Sequence, residues 1–189
     1  IDQALEAAGW HVQDRDDLNL GAGLGVAVRE FHLQTGFADY LLFVDRKAVG
    51  VVEANPAGTT LCGVAEQSTA YLTGLPPDLP HVQLPLPFGY ESTGVETFFR
   101  DLRDPEPRSR SVFAIHQPET LLEWASEPDT LRARLQHLPP LVTAGLWDAQ
   151  IESIQGVERS CAEDRPRALI QMATGSGKTY MTVAFVYRL

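Results

Sequence analysis

Lysine is almost missing from this chain: among 189 residues only Lys47 and Lys178 carry it. Cysteine is as scarce. Cys62 and Cys161 lie far apart with no neighbouring Cys or His at metal-ligand spacing, which argues against a zinc site and a disulfide framework and fits a reducing, cytoplasmic setting. No apolar run is long enough to cross a bilayer and no basic-then-apolar leader opens the chain, so a membrane or secretory fate is not expected. Repeats and low-complexity tracts are lacking too. Excess positive charge is absent: net charge is −10, with four basic against thirteen acidic side chains in residues 1–99 and eleven against twelve in 100–189. Phosphate contact normally leaves a basic footprint, so charge alone argues against a nucleic-acid partner. The acid of the first half reads as solvated surface or, in part, as a metal site.

The chain does hold a nucleotide-phosphate loop, Gln171-Met172-Ala173-Thr174-Gly175-Ser176-Gly177-Lys178-Thr179. Ala168 to Met172 reads as a buried strand and Thr179 to Arg188 as the following helix. The glycines let backbone N–H groups turn toward phosphate oxygens. Lys178 would hold the β- and γ-phosphates and Thr179 the Mg²⁺. The strict pattern puts Gly at position 172, where Met stands; ATGSGKT resembles instead the form found in superfamily 2 helicases. A P-loop motor also needs strands carrying an acidic metal ligand and a water-activating residue. Only ten residues follow the loop, and the first residue is Ile1, so the chain reads as a piece of something larger, inactive by itself.

With 44% hydrophobic content the chain can bury one good core and the beginning of another. The expected fold class is α/β. A helix over Ile1 to Trp10 ends at Gly9, Val26 to Leu33 forms a strand, and Asp39 to Val44 with Ala48 to Asn55 forms a hairpin around Asp45-Arg46-Lys47. Both hairpin strands are apolar on both faces, which places them inside a sheet. A helix over Val64 to Thr73 precedes a proline-punctuated segment. Short strands are expected around Val82 to Leu84, Gly94 to Phe99 and Ser111 to His116. Helices follow at Leu121 to Ala125, started by Pro118, at Thr130 to Leu138, started by Asp129, and at Leu146 to Cys161. Pro139-Pro140 marks the boundary, giving domains over 1–138 and 147–189 joined by a linker at 139–146.

A tip at Asp45-Arg46-Lys47 makes facing hairpin positions sum to 92, so Asp39 faces Glu53. Two carboxylates so placed destabilise a sheet by up to roughly 1 kcal/mol and ask for a cation. Mg²⁺, which favours one or two carboxylates and several waters, suits the pair. The alternative is two acids at frayed, solvated strand ends with the register off by one. Asn55 lies on the same face as Glu53. Glu30, one strand earlier, is a further candidate ligand or a surface carboxylate. Gln67 and Tyr71 lie one helical turn apart on one face.

Asp39 followed by Glu53-Ala54-Asn55 resembles the D…ExK core of the PD-(D/E)xK nucleases, whose carboxylates bind Mg²⁺ and whose Lys positions or activates the attacking water. Here Asn55 replaces that Lys, and Lys47 at the hairpin tip is too far along the strand to stand in for it. Gln67 with Tyr71 resembles the QxxxY motif of type I motor-nuclease subunits. Trp147-Asp148-Ala149-Gln150-Ile151 is similar to the adenine-recognising segment of superfamily 2 motors, with Gln150 at the base edge. Phe37 to Tyr40, Val52 to Ala54, Gln67, Tyr71 and the loop at 173–179 together resemble, in order and spacing, the N-terminal part of the R subunit of a type I restriction-modification enzyme.

That resemblance implies a restriction-endonuclease-like mixed sheet flanked by helices, followed by the first strand, loop and helix of a RecA-like domain. It implies Mg²⁺ at Asp39 and Glu53, a catalytic site of Asp39, Glu53, Gln67 and Tyr71 in which Asn55 at the lysine position impairs cleavage, and ATP held by Gln150, Thr174, Gly175, Ser176, Gly177, Lys178 and Thr179. Double-stranded DNA and the modification and specificity subunits are the implied partners. Two other readings stay open: a DNA-holding or subunit-docking domain that has lost its chemistry, and a superfamily 2 helicase unrelated to restriction.

Overall fold

The computed structural model describes residues 1–34, 36–59, 61, 72–76, 78–165 and 167–189. They form two compact units, Ile1–Arg103 with Pro107–Pro128, and Asp104–Glu106 with Asp129–Leu189. The first unit is an α/β layer structure built on one seven-stranded mixed sheet. Helix α1 (Asp2–Ala7) is followed by β1 (His11–Gln13), β2 (Gly25–Leu33), β3 (Gly36–Val44), β4 (Lys47–Ala54), β5 (Phe88–Ser92), β6 (Thr97–Asp101), β7 (Arg110–Val112) and α2 (Pro118–Ser126). Strand order in space is the order in sequence. β1 runs parallel to β2 and β4 parallel to β5, while the other neighbours are antiparallel.

β4 is central, and Ala48 to Val52 are buried on both faces, as continuous apolar runs require. One face carries Leu42, Val44, Val52, Phe88, Tyr90 and Phe99 and is covered by Leu5 of α1 and Leu121 of α2. The other carries Val26, Val28, Leu41, Phe43 and Val51, packed with Leu72, Leu75 and Leu86. β4 and β5 approach so closely at Gly50 that a Cβ there would lie 2.2 Å from the Phe88 carbonyl oxygen. Asp2 fastens α1 to the sheet, accepting from Arg29 at 2.8 Å and from the Tyr40 hydroxyl at 2.6 Å.

The hairpin differs from the expected one at its tip. Only Asp45 and Arg46 lie outside the strands, both with left-handed φ (46° and 65°), as in the tight two-residue turns whose twist matches the strands they join. Val44 therefore pairs with Lys47 and Phe43 with Ala48; a bulge then lets Leu42 pair with Gly50, Leu41 with Val51 and Tyr40 with Val52. Val49 is the extra residue.

Other expectations shift more. β5 was not foreseen, and 82–84 form no strand, although neighbouring His81 makes a single bridge to Ala48. β1 is too short to show a period. α2 starts at Pro118 as the fixed proline φ favours, whereas Thr130, not Asp129, caps the next helix by accepting the Ala133 N–H at 3.2 Å. The expected helix over 64–73 lies largely outside the described residues.

The second unit holds α3 (Leu131–Leu135), α4 (Asp148–Ala162) and α5 (Lys178–Val186). Arg188 ties its end together, donating to Glu158 of α4 at 2.5 Å and to the carbonyls of Pro139 and Pro140 at 2.5 and 3.4 Å. Residues 168–172, expected as a buried strand, make no ladder and are mostly exposed, with Leu169 at 93%. A strand needs a neighbour to satisfy its backbone, and no strand among the described residues belongs to this unit.

Candidate functional site

Beyond the bulge, facing positions on β3 and β4 sum to 92, and the last ladder pair is Tyr40 with Val52. One residue further, Asp39 comes opposite Glu53. The Asp39 carboxylate completes the ladder where the backbone stops doing so: its Oδ2 accepts the Ala54 backbone N–H at 2.7 Å. Parallel pairing then sets Glu91 of β5 beside Glu53. Glu91 is 3% exposed. It was invisible as a site residue because its strand was not foreseen.

Glu53 Oε1 is buried with no hydrogen-bond partner among the described residues. Burial pushes the Glu53 carboxyl up to about 8. The neighbouring charges of Asp39 and Glu91 push the same way, and a hydrogen bond from the Asp39 backbone opposes them. An orphaned carboxylate oxygen beside a second acid fits a cation. No group of three or more His, Cys, Asp or Glu side chains forms a metal cage among the described residues. Asp39 and Glu53 would therefore share an ion with waters, the coordination Mg²⁺ accepts.

Asn55 extends the pairing, its backbone N–H donating to the Ser92 carbonyl at 2.8 Å. Its side chain is half-buried. Lys47 is exposed at the opposite end of β4. Glu30 is exposed, with a left-handed φ of 46°. Gln67 and Tyr71 lie outside the described residues.

In the second unit the loop from Ala173 to Gly177 turns through left-handed glycines, Gly175 at φ 78° and Gly177 at φ 73°, into α5. Lys178 folds back over it, Nζ donating to the Ala173 carbonyl at 2.9 Å and the Met172 carbonyl at 3.4 Å. Ser176 Oγ also donates to Ala173, at 2.7 Å. The ammonium thus rests on carbonyl oxygens at the loop, in a position from which phosphate oxygens could replace them. Thr174 and Thr179 are exposed. Gln150 is buried, and its amide bonds to this loop.

Comparison with known proteins bears on both units. Residues 144–189 match the family described as type III restriction enzyme, res subunit. Over its whole length the chain is 28% identical to the type I restriction enzyme EcoKI endonuclease subunit of Escherichia coli (strain K12). The chain is a relative of the type I restriction endonuclease subunit. It spans 20% of that relative's length. A solved structure, described as a fragment of a putative HsdR subunit of a type I restriction enzyme from Vibrio vulnificus YJ016, covers all of the chain at 20% identity and a TM-score of 0.47, with 36% of that structure matched. No helix among the described residues is long and apolar enough to cross a membrane.

Proposed function

We propose that this chain contributes a Mg²⁺-dependent phosphodiester-cleaving centre and part of an ATP-driven motor to a DNA-cleaving, DNA-translocating type I restriction subunit. The observation that carries the reading is the meeting of Asp39 and Glu53 across β3 and β4, with Asp39 held there by the Ala54 N–H. Asp39 and Glu53 would hold the ion, and when bound it supplies a Lewis acid that lowers the pKa of a water and offsets charge on the phosphate. The buried Glu53 oxygen supplies a ligand that water does not compete for, while the hydrogen bond to Ala54 fixes where Asp39 points. The loop at 173–179 would take the nucleotide phosphates, with Lys178 leaving the Ala173 carbonyl for them. Double-stranded DNA is the substrate, and modification and specificity subunits are the partners. Because those subunits and the rest of the motor could carry much of the phosphate contact, the acidic balance of this chain does not oppose the reading.

Asn55 favours a second reading. An amide supplies no positive charge to lower a water's pKa or steady the charged transition state, so cleavage should be impaired, leaving the unit as a DNA-holding or subunit-docking domain. The test is DNA cleavage by the intact protein with its partner subunits, Mg²⁺ and ATP, beside Asn55→Lys. The nuclease reading expects Asn55→Lys to cut faster, by roughly a hundredfold. Equal cutting by both would make the lysine dispensable, and no cutting by either would favour the docking reading.

A further inference from the structure

Glutamine usually lies at the surface, yet Gln150 in the first turn of α4 is 3% exposed. Its Oε1 accepts the Trp147 backbone N–H at 3.0 Å, closing the start of the helix. Its Nε2 donates to the carbonyls of Ser176 at 3.0 Å and Gly177 at 3.3 Å. Both ends of the amide are engaged inside the protein.

The peptide bonds at 176–177 and 177–178 are trans. A trans peptide points its C=O and N–H in opposite directions. The Ser176 carbonyl shares a plane with the Gly177 N–H, and the Gly177 carbonyl with the Lys178 N–H. Drawing both carbonyls toward Gln150 therefore turns both N–H groups away from it. They sit where the loop enters α5, whose first turn has no intrahelical acceptors, so they are donors open to a phosphate. Gly177 is required for the same contact, since a Cβ there would lie 2.4 Å from Gln150 Nε2.

We propose that Gln150 is a positioning residue of the phosphate loop: by holding the Ser176 and Gly177 carbonyls it aims the Gly177 and Lys178 N–H groups at the phosphates, whatever it does at a base. This rests on reading 173–179 as a nucleotide-phosphate loop. A role at the phosphates differs from base reading in one measurable way, because it acts on a ligand that has no base.

The probe is inorganic tripolyphosphate with Mg²⁺, titrated by calorimetry into the intact protein beside ATP. Gln150→Glu keeps an acceptor for the Trp147 N–H, and Glu is at home at the third position of a helix, so the cap survives while both donations to the loop are lost. Gln150→Met fills the space without amide or charge. Both variants are expected to weaken tripolyphosphate binding by roughly tenfold, with ATP weakened at least as much. Loss in both is required, because the Glu variant adds a repelling charge and the Met variant gives up the cap. Tripolyphosphate binding unchanged in Gln150→Met, with ATP alone weakened, would make Gln150 a base reader and overturn the proposal. If the parent protein bound neither ligand, the loop reading would fall first and the positioning role with it.

Discussion

Glu53 of β4 and Glu91 of β5 stand side by side in a parallel ladder, two acids in one row of the sheet. Removing one charge should release the other. Glu91→Gln is expected to lower the Glu53 pKa from about 8 toward its ordinary range, because one of the like charges that raise it is gone. Side-chain carboxyl resonances followed by NMR through a pH titration measure this directly. An unmoved Glu53 midpoint would mean that burial and Asp39 account for the whole shift.

Metal-free stability should fall as pH rises. The fold raises the Glu53 pKa from 4.5 to about 8, so the folded chain holds that proton more tightly than the unfolded chain does. The contribution is fully present below pH 4.5 and is lost as pH climbs through 8. Urea melts in EDTA at intervals from pH 5 to 9 test it, with Glu53→Gln as the reference. The Gln variant should flatten the slope, and a slope that survives it would belong to another group.

Divalent-ion binding at the same place should release a proton. At pH 7 a carboxyl with a pKa of about 8 is mostly protonated, and a ligand must give up its proton to bind. Mn²⁺ calorimetry in buffers of different ionisation enthalpy reads the protons released, with a value approaching one expected per ion. Asp39→Ala is expected to abolish the site. An isotherm that Asp39→Ala leaves untouched would place the ion elsewhere and remove the basis of the nuclease reading.

Gly50→Ala should destabilise the sheet by about 3 kcal/mol or more, at or beyond the usual range for overpacking. The new Cβ has nowhere to go, since the atom it meets, 2.2 Å away, is the Phe88 carbonyl oxygen on a paired strand. Denaturant midpoints decide it. A change of under about 1 kcal/mol would mean that β4 and β5 can separate locally.

β2 as a strand, and the pairing of β3 with β4, were legible because their apolar runs are long and turn residues stand at the hairpin tip. The turn itself was misread. A three-residue tip and a two-residue tip followed by a bulge at Val49 bring the same residues opposite one another, and strand patterning does not separate them when both faces are apolar. β5 was hidden for a different reason: Pro85, Pro87 and Gly89 depress strand character locally, and the segment is extended because it lies along Gly50. With β5 went Glu91. In the second unit, loop and helix followed from Gly175, Gly177 and Lys178, but 168–172 carries strand-forming residues with no strand beside it among the described residues. Propensity supplies no partner.

The outermost strands, His11–Gln13 and Arg110–Val112, have three residues each. Each of these two strands by itself offers a neighbouring polypeptide little backbone to zip onto.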